Sequence, residues 1–185
     1  PEVFRLREDV SALPAEQGKA ILHACLSAAG KILEKTPDNP ASGELHELND
    51  RQATNRIGTW YAGLDLLCPF LSEGVCISYE ERPIACREHT VTGSAAQCAA
   101  GGTSEASVVR MPVSVLECLG RLCAELEQRE IEAVILPLAL PWALKNHDRS
   151  QQTWPARTMV ERFIEILREA TNQHESTRKH DEVHV

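Results

Sequence analysis

The sequence predicts a small, mainly α-helical domain that carries an irregular, cysteine-rich, metal-binding loop region, and three observations predict it. Apolar residues recur at three- and four-residue steps along several long segments, the spacing of a core-facing helical stripe. The hydrophobic fraction of 43% leans on Ala and Leu while aromatics make up only 4%, and no run of β-branched and aromatic residues reads as a succession of strands. Four of the seven cysteines fall between positions 68 and 98, among prolines and glycines that interrupt regular structure.

The 185 residues are enough to bury a sizeable core, and this length favours one domain over two. The expected organisation is a single helical domain over residues 1–170, with the cysteine cluster at 63–103 and a disordered polar tail at 171–185. The formal net charge of −8 leaves no obvious basic face for phosphates, so nucleic acid is not an expected partner. No stretch of about 18 apolar residues is present to span a bilayer, and the first residues lack the basic-then-apolar order of a secretory signal. A cytoplasmic protein is the expectation. In a reducing compartment disulfides do not persist, so an odd and high cysteine count points to metal or thiol chemistry ahead of a disulfide scaffold.

Along the chain, residues 1–13 read as a short mixed lead-in. Pro14 suits the first turn of a helix running to about Lys35, with Ile21, Leu22, Cys25, Leu26, Ala29, Ile32 and Leu33 on its apolar stripe. On that stripe Cys25 reads as a buried small hydrophobe. Turn formers at 36–43 precede a wetter helix from about Glu44 to Ala62. A short helix is expected from Arg82 or Pro83 to about His89. A longer one is expected from Pro112 to about Glu130, capped between Met111 and Ser114. Cys118 and Cys123 lie on the latter, but five residues at about 100° each set them roughly 140° apart, a poor chelating pair. Pro137 and Pro141 divide the apolar segment 131–144 into short pieces. A last amphipathic helix begins near Pro155, with Thr153 as its cap, and ends near Ala170. His174, His180 and His184 follow it and read as solvated. The common nucleotide-binding, serine-hydrolase and zinc-protease motifs are absent.

The chemistry concentrates in Cys68-Pro-Phe-Leu-Ser-Glu-Gly-Val-Cys76-Ile-Ser-Tyr-Glu-Glu-Arg-Pro-Ile-Ala-Cys86-Arg-Glu-His, followed by Cys98, a spacing of C-x7-C-x9-C-x11-C. Thiolates hold zinc tetrahedrally and also hold iron–sulfur clusters, and either needs four sulfurs converging from sharply turning segments. Pro69, Gly74, Pro83 and Gly93 supply such turns. The expected metal ligands are Cys68, Cys76, Cys86 and Cys98. His89, three residues past Cys86, is a candidate alternative ligand, and Cys118 and Cys123 are candidates only if the fold carries them there.

This string resembles the bacterial cysteine-cluster proteins of the YkgJ type, described as a zinc- or iron-chelating domain. Cys68, Pro69, Phe70, Leu71, Gly74, Cys76, Ile77, Tyr79, Glu80, Arg82, Pro83, Cys86, Arg87 and Cys98 carry the resemblance, which covers about residues 64–98. The family's upstream C-x2-C-x4-C-C cluster has no counterpart in this sequence, whose one earlier cysteine is Cys25. What the resemblance implies is therefore metal chelation at the downstream site alone.

The lack of C-x2-C knuckles, the wide spacing and the Cys68-Pro69 step place an iron–sulfur cluster slightly ahead of zinc as the expected cofactor. Arg82 and Arg87 are expected to donate to loop carbonyls or to pair with Glu80 and Glu81. Tyr79 is expected to pack its ring under the loop, with its hydroxyl on a backbone acceptor. The functional expectation is a structural or regulatory metal-binding module that acts with a protein partner. The alternatives are an iron–sulfur redox protein or component of a modification enzyme, and thiol chemistry or metal delivery through Cys86 beside Arg87 and His89.

Overall fold

The computed structural model describes residues 1–35, 59–92, 107–109 and 111–183. The molecule is mainly helical, as its sequence predicts. The first thirteen residues are more than a lead-in: Glu2–Ala12 form α1, with Leu6 and Val10 buried at helical spacing and Glu2 at the positive end of the dipole. The stripe is short, and its charged neighbours conceal it in the sequence. α1 ends because Leu13 precedes Pro14 and adopts an extended conformation (φ −70°, ψ 158°).

Ala15–Lys35 form α2, where the periodicity places it, and bury Ile21, Cys25, Ala28, Ala29 and Ile32. Gly18 lets the end of α1 approach, since a Cβ there would meet the Val10 carbonyl oxygen at 3.2 Å. Most of the expected 44–62 helix lies outside the described residues; residues 59–62 are helical.

The cysteine region contains two minimal antiparallel pairs. β1 (Leu71–Ser72) pairs with β2 (Val75–Cys76), Leu71 opposite Cys76, and β3 (Val91–Thr92) pairs with β4 (Ser107–Val108). In the β1–β2 connection both Glu73 (φ 51°) and Gly74 (φ 81°) are left-handed, the geometry of a two-residue hairpin turn that matches strand twist. Pro83 precedes the short helix α3 (Ile84–Glu88).

α4 (Val115–Glu127) begins at Ser114, whose hydroxyl accepts from the Glu117 N–H at 3.1 Å, and ends with Gln128 left-handed (φ 54°). Pro137 sits in a 3-10 turn (Leu136–Leu138), and Pro141 falls in the first turn of α5 (Ala139–Lys145), where its missing N–H costs nothing. A second 3-10 turn, His147–Gln151, leads to α6 (Ala156–Val183). Pro155, not Thr153, starts this helix, because its carbonyl accepts from the Met159 N–H at 3.1 Å. α6 also continues past Ala170, where a disordered tail is expected from the sequence. Residues 171–176 are exposed, so the missing apolar stripe removes packing but not helix, and no Gly or Pro interrupts the segment.

Among the described residues, buried apolar side chains form two clusters where the sequence suggests one core. Leu6, Val10, Ile21, Cys25, Phe70, Ala139 and Leu140 join α1, α2, the first hairpin and α5. Cys118, Leu122 and Ile166 join α4 to α6. The two are tied by Arg149, which meets Glu127 at 2.8 Å and Glu132 at 2.6 Å and lies over the Trp142 ring at 4.8 Å.

Candidate metal centre

The segment that carries the site is shaped by its own backbone. The Leu71 N–H donates to the Cys68 carbonyl at 3.0 Å, closing a turn, and the Ile77 N–H donates to the Phe70 carbonyl at 2.9 Å, extending the hairpin. Between these bonds the Phe70 side chain, 3% exposed, enters the cluster beneath and anchors the hairpin on α2. Cys68 therefore stands at the start of the hairpin, and Cys76, half-buried, packs onto the same cluster from β2.

Cys86 reaches the site from α3, whose position is set at both ends. The Ile84 N–H donates to a Glu2 carboxylate oxygen at 2.5 Å, tying α3 to the first turn of α1. At the other end Glu88 accepts from the Val115 N–H at 2.5 Å, the Leu116 N–H at 3.1 Å and the Ser114 hydroxyl at 2.8 Å. A carboxylate from α3 thus satisfies donors that the start of α4 would otherwise leave to solvent.

The arginines close the loop through its carbonyls, as expected. Arg82 Nε donates to the Tyr79 carbonyl at 3.1 Å, Arg87 Nε donates to the Arg82 carbonyl at 2.7 Å, and a second Arg87 nitrogen donates to the Glu80 carbonyl. Tyr79 differs from expectation: it is 56% exposed, and the Arg82 guanidinium lies over its ring at 4.0 Å. The cation–π contact holds the ring outward.

Electrostatics show which sulfurs share this region. Burial pushes the Cys68 thiol up, the Phe70 N–H bonded to it works in the opposite direction, and the nearby Cys76 raises it again. Cys86 is pushed up by burial and by Cys68 and Cys76, against the pull of Arg82. Cys25 belongs to the same neighbourhood: burial, then Cys68, push it up to about 11. Tyr61 is raised by burial and by Cys68 as well.

The structure thus brings Cys68, Cys76 and Cys86 within electrostatic reach of one another. Among the described residues no three His, Cys, Asp or Glu side chains are grouped closely enough to hold a metal ion. Cys98, the fourth expected ligand, lies outside the described residues. His89 is exposed just past α3. Cys118 is buried between α4 and α6 with Arg121, Glu117 and Glu88 as its charged neighbours, and those of Cys123 are the N-terminal amine, Glu127, Arg149 and Glu2; no other cysteine acts on either.

The donors gathered here are thiols, the chemistry a thiophilic cation takes, with a backbone N–H directed at Cys68; as they stand the described thiols are not grouped as a bound metal would require. Cys25 is buried in the apolar cluster, as its place on the stripe predicts. Glu2 and Glu88 are contributors that sequence reasoning passes over, because they act across 82 and 26 positions of chain, beyond the reach of any local pattern. Comparison with family models, curated proteins and solved structures finds no match for this chain.

Proposed function

We propose that this protein is a metal-binding module whose centre is held by the thiolates of Cys68, Cys76, Cys86 and Cys98 and which acts structurally or as a regulator with a protein partner. The observation that carries the reading is that three cysteines, from a turn, a strand and a short helix, lie within electrostatic reach of one another in a loop held by backbone turns and arginine-to-carbonyl bonds. The resemblance of residues 64–98 to the YkgJ-type motif supports the same ligands. Because the sulfurs are near but not in a coordination sphere, metal binding here would be coupled to closure of the loop.

When bound, an iron–sulfur cluster supplies one-electron chemistry and a zinc ion supplies a cross-link. The chain's own residues set the frame for either: Phe70 seats the hairpin, Arg82 and Arg87 fix the loop carbonyls, and Glu2 and Glu88 fix the helix that carries Cys86.

The test is elemental analysis and visible absorption of anaerobically purified protein, followed by chelation. Stoichiometric metal, lost in Cys76→Ser, together with faster proteolysis within residues 63–92 after chelation, is the expected result. A metal-free protein, or chelation that leaves proteolysis and circular dichroism unchanged, sinks the reading. A coloured, iron- and sulfide-containing protein that is reversibly reduced would instead favour the redox alternative.

A further inference from the structure

We infer that the cavity between α1 and the segment 81–87 binds a small molecule through one oxyanion group, a carboxylate or a phosphate, held by Arg82 and Arg87. The cavity has a volume of about 300 Å³, and Arg5, Arg82 and Arg87 line it together with Glu2, Asp9 and Glu81. Small-molecule sites begin at about this volume. Among the described residues no cysteine lines it, so the inference stands apart from the metal-binding reading.

The balance of charge points to an anion. Glu2 already accepts from the Ile84 N–H at 2.5 Å, and Asp9 accepts from Arg5 Nε at 2.9 Å. Arg82 and Arg87 are different: among the described residues neither forms an ion pair, and their bonds go to the main-chain carbonyls of Tyr79, Arg82 and Glu80. The loop therefore uses their hydrogen-bond donors without neutralising their charge. Arg82 gives it only Nε, and Arg87 gives Nε and one terminal nitrogen. A guanidinium carries five N–H donors, so terminal donors remain on both. The Nε bonds also fix the two planes, and the Tyr79 ring, 4.0 Å away, covers one face of Arg82. Planar forks held in place before the ligand arrives suit bidentate recognition of a carboxylate or phosphate.

The acidic wall limits what enters. Glu81 is exposed and, among the described residues, has no side-chain partner, so its charge opposes any anion in the cavity. With Glu2 and Asp9 beside it, the cavity accepts one oxyanion group and disfavours a polyanion such as nucleic acid. Glu81 also gives the proposal a signed test, because removing its charge should strengthen binding where loss of an arginine weakens it.

The experiment follows the Nε–H resonances of Arg82 and Arg87 by NMR in the full, isotope-labelled chain as purified. Inorganic phosphate is titrated in one arm and acetate in the other, with ionic strength held constant by sodium chloride. The expected result is a saturable shift of both resonances in at least one arm, the tighter arm identifying the oxyanion. Affinity for that probe should fall by about 10-fold or more in Arg82→Gln, the loss of one charge-assisted contact. Arg82→Lys, which keeps the charge but not the fork, should fall between. Glu81→Gln should bind about 3-fold more tightly, and Arg157→Gln, remote on α6, should match wild type. If Arg82→Gln does not fold, as judged by circular dichroism, Glu81→Gln decides, since it breaks no described contact. Shifts in both arms that fail to saturate, wild-type affinity in folded Arg82→Gln, or wild-type affinity in Glu81→Gln when it decides, overturns the inference. Equal weakening in Arg157→Gln and Arg82→Gln does so too, by reducing the effect to net charge.

Discussion

Phe70 decides where the cysteine hairpin sits. Its neighbours in sequence are a proline and an exposed leucine, and the loop around it gains its order from short-range turns and arginine-to-carbonyl bonds that hold its internal shape without fixing its position on the helices. The ring, 3% exposed, is the part of the hairpin that enters the cluster of α1, α2 and α5. Truncating a buried aromatic of this kind costs about 3–5 kcal/mol. We therefore expect Phe70→Ala to lose stability of that order in urea denaturation and to weaken metal retention even though no ligand is changed; Phe70→Leu, which keeps most of the apolar volume, should recover most of both. A Phe70→Ala protein with unchanged denaturation midpoint and metal content would show that the hairpin is placed by something else.

At the scale of elements, the helices whose boundaries were legible are those whose stripes are long and whose ends carry recognised chemistry. Ala15–Lys35 follows an unbroken apolar period behind Pro14, and Val115–Glu127 starts from Ser114 with Glu117 three residues on. α1 was hidden because two buried residues, Leu6 and Val10, are too few to stand out among charges, and the extension of α6 was hidden because polar helix formers resemble a disordered tail in composition. The α4–α6 contact adds a pattern that no local period reveals. Arg162 of α6 reaches Glu125 of α4 at 2.6 Å and Glu169 at 3.2 Å, and Arg121 of α4 reaches Glu169 at 2.6 Å. The hydrogen bonds from Arg162 hold the Glu125 carboxyl below the usual range, and those from Arg121 and Arg162 do the same for Glu169. Depressed folded-state values mean that this contribution is present above the unfolded glutamate value of about 4.3 and is lost as pH falls through the folded values. The groups are exposed, so the effect is small and screened by salt. The thermal midpoint of wild type should exceed that of Arg162→Gln modestly at pH 7 and low salt, and the gap should close on acidification to pH 3 or in molar salt. A gap that persists under both conditions would assign the contact to packing of Phe163, Ile166 and Leu167 alone.

For the whole molecule, the consequence lies in how the two buried clusters are joined through the candidate site. α3 is only five residues long and buries no side chain, so it has no packing of its own to hold it. It is instead suspended between Glu2 of α1 and the first turn of α4, with Cys86 midway and Glu88 as the link to α4. That arrangement makes the start of α4 a reporter of the loop. Helix-capping interactions contribute about 0.5–2 kcal/mol, and hydrogen bonds to a charged group about 1.5–3 kcal/mol. Glu88→Ala should therefore cost about 1–2 kcal/mol and expose the Val115 and Leu116 amides to faster hydrogen exchange, while Glu88→Gln, which keeps an acceptor oxygen but not the charge, should fall between. If the centre closes the loop on metal, the same two amides should exchange faster in the chelated wild type than in the loaded one, and this metal dependence should vanish in Glu88→Ala. Equal exchange with and without metal in a wild type shown to bind it would confine the effect of the metal to the cysteine loop and leave α4 and α6 independent of it.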